Sequence, residues 1–351
     1  MVFNPKYTIT DKILNNLTLI ASAREVIEQS HLVPKWEAKL RRQALMRNTH
    51  SSTAIEGNKL TLEQVEALAS GKDVPATDKD KKEVLNYLEV LEMIPKLAKK
   101  GEIKVEDLLN VHRVITKNVM ENDANSGTFR DRQVFVGRRI IGGTGLKTEV
   151  EYMPPPTEEV PALVEEFIDW LNIDKTWELN PVLLAGIAHY EIARIHPFID
   201  GNGRTARLLA AVILYLSRFD HRRIFALDDY YDRDRKAYYA ALKTAQTSNG
   251  DLTQWLEYFT SGVAASVQEA KDAILKLGTK GKRGLREQVS LTARQMQIVE
   301  YINTHGKVTN RDLQELFNIT PQAVHKELSK LVEMKVIKSV GEGRSLHYIL
   351  V

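Results

Sequence analysis

The chain has 351 residues, 43% of them hydrophobic and 27% charged, with no cysteine and a net charge of +3. That length fills two or three domains, and the composition is that of a folded globular protein and excludes a disordered one. The missing thiols exclude disulfides, thiolate chemistry and cysteine-based zinc sites and fit a reducing, cytoplasmic setting, and the net charge is too small to mark the whole chain as a nucleic-acid binder.

Met1 to Thr10 holds no apolar run of signal-peptide length. Thr10 or Asp11 caps a first helix to about Gln29, and Pro34 opens a second that ends near Gly57. Thr61 and Gln64 form a capping box for a short helix that stops before Gly71. Helical periodicity then recurs at 79–99, 105–120, 158–172, 180–195, 203–217, 233–246 and 251–277. The most apolar run, Leu208 to Leu216, is shorter than the roughly 20 residues of a membrane span and reads as a buried core helix.

Two stretches interrupt the helices. Gly127 to Pro156 is rich in Gly, Arg and β-branched residues, with Val134-Phe135-Val136 and Arg139-Ile140-Ile141 flanking Gly137. It reads as a hairpin at about 133–141, followed by the rigid run Pro154-Pro155-Pro156. Gly278 to Gly284 is a Gly/Lys linker. After it, helices at Ala293–Asn303, Thr309–Leu316 and Pro321–Glu333 precede alternating strands at Val336–Val340 and Ser345–Leu350, the order of a winged helix-turn-helix. The reading is therefore a mainly α chain with an N-terminal helical region (1–100), a helical core with a hairpin (101–277), a linker (278–286) and a winged helix-turn-helix domain (287–351). From Lys271 onward 14 Lys and Arg face 8 Asp and Glu, an excess of six that leaves the first 270 residues at −3. A basic tail on a mildly acidic body suggests a partner of its own.

Chemistry concentrates in His196-Pro197-Phe198-Ile199-Asp200-Gly201-Asn202-Gly203-Arg204-Thr205-Ala206-Arg207, between two apolar helices. Pro197 ends the first helix and the glycines allow a tight turn into the N-terminus of the second, where converging N–H groups and the helix dipole make an anion nest. Arg204 and Arg207, three apart, share a helical face suited to clamping phosphate oxygens. Asp200 is a hard oxygen ligand for Mg²⁺, and His196 is placed to act as general base. Each of these residues alone is more often structural; the ordered combination is a kit for phosphoryl chemistry.

The segment matches in full the signature HPFx(D/E)GNGRxxR and so resembles the Fic-domain family, over roughly residues 35–270 and including Gly127-Thr128-Phe129-Arg130 and Tyr152-Met153-Pro154-Pro155. The resemblance implies a Fic-type helical bundle with a β-hairpin flap that transfers AMP from ATP to a Ser, Thr or Tyr hydroxyl of a target protein. By the same resemblance His196 deprotonates that hydroxyl and Asp200 holds Mg²⁺ at the α- and β-phosphates. Asn202 and the backbone at Gly201 and Gly203 bind phosphate, Arg204 and Arg207 take the outer phosphates, and Phe198 is a buried anchor. The hairpin near 133–141 is the flap, whose open strand edge can pair with an extended target segment.

Ser52-x-x-x-Glu56-Gly57 resembles the family's inhibitory motif, (S/T)xxxE(G/N), placed N-terminal to the core. Beside Arg207, Glu56 would form a bidentate pair with the guanidinium that the γ-phosphate needs, and Ser52, four residues earlier on the same helix face, would orient the helix. In some relatives the same glutamate also supports AMP removal.

Weaker signals surround these. Gln246 falls near the position where relatives hold the adenine, although Thr247-Ser248-Asn249 looks like an insertion there. His189, seven before His196, reads as a hydrogen-bonded core histidine. Gly142 to Thr148 lacks the Gly before Lys that a P-loop requires, since Leu146 stands there. The competing function is a nucleotide-sensing, DNA-binding transcriptional regulator, with Thr320 to Lys326 as recognition helix and Lys338 and Arg344 beside the wing. Transfer of another phosphate-linked group, such as UMP or phosphocholine, ranks below AMP because the arginine pair is intact. The expected partners are ATP, a target protein along the flap, DNA at the winged helix, and a second copy in a homodimer, with no membrane.

Overall fold

Many of the helices begin at a side-chain cap that the sequence supplies. The computed structural model describes residues 3–350 apart from 31, 33, 98–101, 143–144, 221, 282–290, 335 and 342; at 138–149, 278–281, 293 and 344 it describes the backbone alone. Thr10 Oγ1 accepts from Ile13 N–H to start α1 (Asp11–Gln29), and Pro34 begins α2 (Pro34–Ile55). Thr61 and Gln64 close a capping box on α3 (Leu62–Ala69), and α4 (Asp78–Leu97) and α5 (Val105–Thr116) follow. Beyond the hairpin come α6 (Val160–Leu171), α7 (Pro181–Ile195) and α8 (Asn202–Leu216). Asn180 caps α7, with Pro181 in the first turn where no N–H is needed. The core ends with α9 (Leu227–Arg233), α10 (Arg235–Thr247) and α11 (Thr253–Gly281).

The centre is the antiparallel pair α7 and α8. Along α7 every residue from Val182 to Ile192 is buried, so this helix is apolar all round as a central helix must be. Leu208–Ala210 and Val212–Leu214 of α8 are buried too, as expected for that apolar run. α1 and α11 pack together on one side, while α2 lies against α9 and α4. Among the described residues no helix is long and apolar enough to cross a membrane.

The hairpin differs from the sequence expectation. Its strands are β1 (Val136–Gly142) and β2 (Gly145–Tyr152), antiparallel, with Ile140 opposite Lys147 and Gly142 opposite Gly145. Gly137 is therefore inside a strand rather than at a turn, at a register shift between Val136 and Gly137, and Gly145–Thr148 is strand. Alternation over so short a stretch fixes a strand but not its partner, and the Gly-rich segment after Ile141 wins the reversal. α9 was not expected, and α11 continues through Gly281, into the first residues of the expected linker; the remainder, 282–286, lies outside the described residues.

The C-terminal unit is α12 (Ala293–His305), α13 (Asn310–Phe317), α14 (Pro321–Glu333), β3 (Ile337–Val340) and β4 (His347–Leu350), with an isolated bridge between Val308 and Tyr348. It has its own core of Ile298, Val299, Ile302, Leu313, Val324, Leu328 and Leu331, to which Ala38 of α2 also belongs.

Packing in the main core is tight at Gly186, on α7. A Cβ there would lie 2.8 Å from Leu256 and 3.0 Å from Phe259 of α11, while the Gly186 carbonyl accepts from Trp255 Nε1 at 2.8 Å. Gly186→Ala is expected to lower the free energy of denaturant unfolding by about 1–3 kcal/mol through overpacking, read from the urea midpoint.

Candidate active site

The loop between α7 and α8 is built by backbone conformations that helices forbid. His196 sits in the left-handed region (φ 50°, ψ 57°) and Gly201 does so again (φ 80°), so the chain leaves α7 and enters α8 within six residues. Asn202 locks the turn from inside: its Oδ1 accepts from Phe198 N–H and its Nδ2 donates to Phe198 C=O, both at 2.9 Å. The amide side chain expected to bind phosphate is thus wholly engaged in the loop, leaving its backbone N–H for that purpose. Phe198 is fully buried, contributing about 1.5–3 kcal/mol of anchoring, as expected of it. No side chain caps α8, so the N–H groups of Asn202, Gly203 and Arg204 have no intrahelical acceptor and form the expected nest.

Three side chains from elsewhere hold this loop, and only one lies in a segment the sequence reading singled out. His112 of α5, fully buried, stacks on Phe198 with ring centroids 3.7 Å apart. Its Nδ1 accepts from Gly127 N–H at 2.9 Å, so the proton is on Nε2, which donates to the Asp200 carbonyl at 2.8 Å. Arg130, 3% exposed, donates from Nε to the His196 carbonyl at 3.0 Å and from Nη1 to Thr157 Oγ1 at 2.6 Å. The backbone N–H of Arg130 reaches the Pro197 carbonyl at 2.9 Å. Glu83 of α4 stands 3.8 Å from Arg204. The Gly127-Thr128-Phe129-Arg130 motif pointed to Arg130; nothing in the local sequence around His112 or Glu83 marks them, because their roles exist only across the fold.

The His196 ring is half-buried, and its Nδ1 lies 3.3 Å from the Ala193 carbonyl. A carbonyl only accepts, so in the neutral ring Nδ1 carries the hydrogen and Nε2 keeps its lone pair. Burial lowers its affinity for a proton below the ordinary histidine value, opposed by the neighbouring Glu56 and Asp200 charges. The ring is therefore neutral at physiological pH and available as a base. Asp200 has its side chain half exposed; its Oδ1 accepts from Gly201 N–H at 2.6 Å and lies 3.5 Å from Arg204 Nη2. Among the described residues no cluster of three metal-ligating side chains occurs. One accessible carboxylate beside a phosphate nest nevertheless fits Mg²⁺, which is commonly held by one or two carboxylates plus substrate phosphates and water.

The two arginines do not form an open clamp. Arg207 is buried, with Nε on Ser52 Oγ at 2.7 Å and Nη2 on both the Ser52 carbonyl at 2.9 Å and Glu56 Oε1 at 2.8 Å. The expected bidentate carboxylate pair is thus a single-oxygen contact, because Ser52 occupies the neighbouring donors. Gly203 makes the approach possible: a Cβ there would stand 2.3 Å from Glu56 Oε1. Beneath, Asp228 receives hydrogen bonds from Ser52 and from Tyr87 Oη, the latter at 3.0 Å. Arg204 is 1% exposed, lies between Glu83 and Asp200, and among the described residues has no hydrogen-bond acceptor for Nε or Nη1. Two unmet buried donors cost about 1–3 kcal/mol each.

Gln246 is half-buried on α10 and, among the described residues, makes no hydrogen bond to the loop. His189 is fully buried, bonded through Nε2 to Tyr238 Oη at 2.8 Å, and burial holds its proton affinity far below the ordinary value; it is a core histidine. At the flap, Tyr152 Oη donates to the Arg194 carbonyl at 2.8 Å and Gln133 Nε2 to the Pro154 carbonyl at 3.0 Å, tying the hairpin base to α7 and the proline run.

An uncapped helix N-terminus, a neutral, half-buried histidine and a half-exposed carboxylate thus meet in one loop of a helical bundle. Residues 102–214 match the Fic/DOC family and residues 294–343 the DeoR-like helix-turn-helix domain. The chain is a Fic-domain protein with a C-terminal helix-turn-helix. It is 31% identical over 271 residues to protein adenylyltransferase fic-1 of Caenorhabditis briggsae and 33% identical over 235 residues to its counterpart from Caenorhabditis elegans. These alignments cover 76% and 66% of this chain but 48% and 42% of the relatives, so the chain spans less than half the length of each. The crystal structure of a Fic family protein from Desulfovibrio desulfuricans G20 superposes with a TM-score of 0.64 at 25% identity, covering 99% of this chain and 98% of that one.

Burial pushes His112 from 6.5 to about 4, so the folded protein keeps it neutral where the unfolded chain takes up a proton. Protons then bind preferentially to the unfolded state between those values, and stability falls as pH drops from about 6.5 towards 4. The shift corresponds to a loss on the order of 3 kcal/mol. Urea unfolding at pH 7 and pH 4.5 is expected to show a shallower pH dependence for His112→Gln than for wild type.

Proposed function

We propose that this chain transfers AMP from ATP to a Ser, Thr or Tyr hydroxyl of a target protein, from a site held back by Glu56. The observation that carries this reading is the unprotonated Nε2 of His196 beside the uncapped N-terminus of α8. His196 takes the hydroxyl proton while the oxygen forms its bond to the α-phosphorus; the bond from that phosphorus to the bridging oxygen breaks, and pyrophosphate leaves. The N–H groups of Asn202, Gly203 and Arg204 bind phosphate oxygens and stabilise the charge that develops on them. Mg²⁺, held through Asp200, would supply charge neutralisation at the α- and β-phosphates. Arg204, with two donors lacking acceptors, and Arg207, once free of Glu56, take the outer phosphates. We assign Gln246 to the adenine from its position in the chain alone. The flap is a two-stranded sheet with free outer edges among the described residues, flanked by exposed Phe135, Val150 and Met153, a surface suited to an extended target segment.

Glu56 restrains the reaction because Arg207 cannot serve Glu56 and a γ-phosphate at once. Incubated with ATP and Mg²⁺, Glu56→Gly is expected to gain one AMP unit in intact mass or transfer it to target well above the wild-type rate, and Glu56→Gly/His196→Ala to lose that gain by at least about 100-fold. An unchanged Glu56→Gly rate would sink the brake. Because burial lowers the His196 proton affinity and removing Glu56 takes away a charge that raises it, transfer by Glu56→Gly should persist below pH 6.5.

A second reading, a DNA-binding regulator whose Fic domain senses nucleotide, is favoured by the outer face of α14, where Gln322, His325, Lys326, Ser329 and Lys330 are all exposed. In the full chain, duplex binding by this face should weaken steeply with salt, and Lys326→Ala should reduce the slope of log affinity against log salt by about one. Binding unchanged in both affinity and slope would remove the winged helix from DNA.

A further inference from the structure

The helix that ends in Ser52 and Glu56 begins against the winged helix. Ala38 of α2 is 6% exposed within the winged-helix core beside Ile298, Val299 and Ile302. One turn on, Arg41 pairs with Glu300 of α12 at 2.8 Å. Arg42 donates to the carbonyls of Asn303 and Thr304 at the end of α12, and Asn303 Nδ2 donates back to the Ala38 carbonyl. Midway along α2, Asn48 binds the Phe225 carbonyl and Asp228 N–H, and one turn further Ser52 and Glu56 hold Arg207. The 15 residues from Arg41 to Ile55 span about 22 Å of continuous helix, and Glu56 follows directly in the turn that ends it. A single rigid rod therefore has one end in the winged helix and the other on the catalytic arginine.

The seam is separable. Its apolar part is small, its other contacts are polar, and between α2, α4, α8 and α12 it leaves a cavity of about 530 Å³ lined by Arg41, Arg42, Glu92, Arg223, Tyr301 and His305 among others. Glu92 Oε1 is buried there without a hydrogen-bond partner, and burial without a bonded carboxylate lowers the proton affinity of both Arg42 and Arg223. An unpaired carboxylate oxygen, seen among the described residues, in an incompletely filled seam makes opening it less costly than parting a packed core.

We infer that the docked winged helix is part of the brake: it holds α2 in the position that seats Ser52 and Glu56 on Arg207, and its release loosens that end and strengthens ATP binding. This rests on the reading of Glu56 as an inhibitor. Occupation of the winged helix by a partner that competes with α2 is then coupled to nucleotide occupancy, and linkage makes the coupling reciprocal.

The test uses the full chain, with α,β-methylene-ATP and Mg²⁺ as a probe that cannot transfer AMP. Calorimetric affinities are compared for wild type, Glu300→Arg/Asn303→Ala, Glu56→Gly and the triple variant, with hydrogen exchange followed at 34–56 and 293–305. Glu300→Arg sets a like charge against Arg41, and Asn303→Ala removes the bond to α2. The double variant is expected to exchange faster in both segments and bind the probe about fivefold tighter or more, while the triple variant binds no tighter than Glu56→Gly. Tighter binding by Glu56→Gly alone, with α12 released and the double variant at wild-type affinity, overturns the coupling and leaves the brake standing. If Glu56→Gly itself binds no tighter, the brake reading fails. Should the double variant leave α12 docked, the reciprocal measurement decides: saturating probe must accelerate exchange at 293–305 in wild type, and an unchanged rate overturns the proposal.

Discussion

The burial of the Arg207 guanidinium is the constraint on which the rest depends. A charge removed from water must find acceptors inside the protein, because an uncompensated buried ion costs several kcal/mol. Here the acceptors come from one turn of α2: Ser52 Oγ, the Ser52 carbonyl and a Glu56 oxygen. Meeting that demand fixes the rotation of α2 about its axis and its height along α8. The same demand explains Gly203, where any side chain would displace the carboxylate. Proximity of Glu56 and Asp228 stabilises the charge further, so the arginine remains protonated despite its burial.

A second set of interactions makes the loop rigid without using the groups that do chemistry. His112 and Arg130 grip backbone carbonyls, at Asp200 and His196, and Asn202 closes the turn on Phe198. The side chains of His196 and Asp200 each take part in this scaffold through one atom only, Nδ1 on the Ala193 carbonyl and Oδ1 on Gly201 N–H, and the strained left-handed backbone at His196 is held by its surroundings rather than by its own preference. Pre-organisation of this kind is what a phosphate site would need to bind without rearranging.

The parts of this arrangement that the chain shows locally were legible, and the parts made by distant pairing were not. The loop's glycines, its proline and the apolar helices on either side mark a turn into a helix N-terminus, which is a matter of backbone geometry within a dozen residues. The Arg204–Arg207 clamp, also inferred from spacing, is not open, because spacing on one helix says nothing of Glu83 or Ser52 on others. The hairpin was placed in the right segment but with its reversal too early, since two short apolar runs leave the register free. Gln246, inferred by position alone, makes no hydrogen bond to the site among the described residues.

By itself the sequence determined the helical class, most helix starts through Thr, Asn and Pro at their caps, the winged-helix order at the C-terminus, and the tight turn from α7 into the N-terminus of α8. These follow from hydrophobic period and from the few residues able to satisfy a helix end or turn a chain. The tertiary structure alone decided which partner the other buried polar groups found: His112 for Asp200, Arg130 for His196, the Ser52 hydroxyl and carbonyl for Arg207 beside the Glu56 contact that the resemblance implied, and α12 for the first half of α2. Such pairings join residues up to 265 positions apart; packing selects them, and no local pattern encodes which polar atoms are buried together.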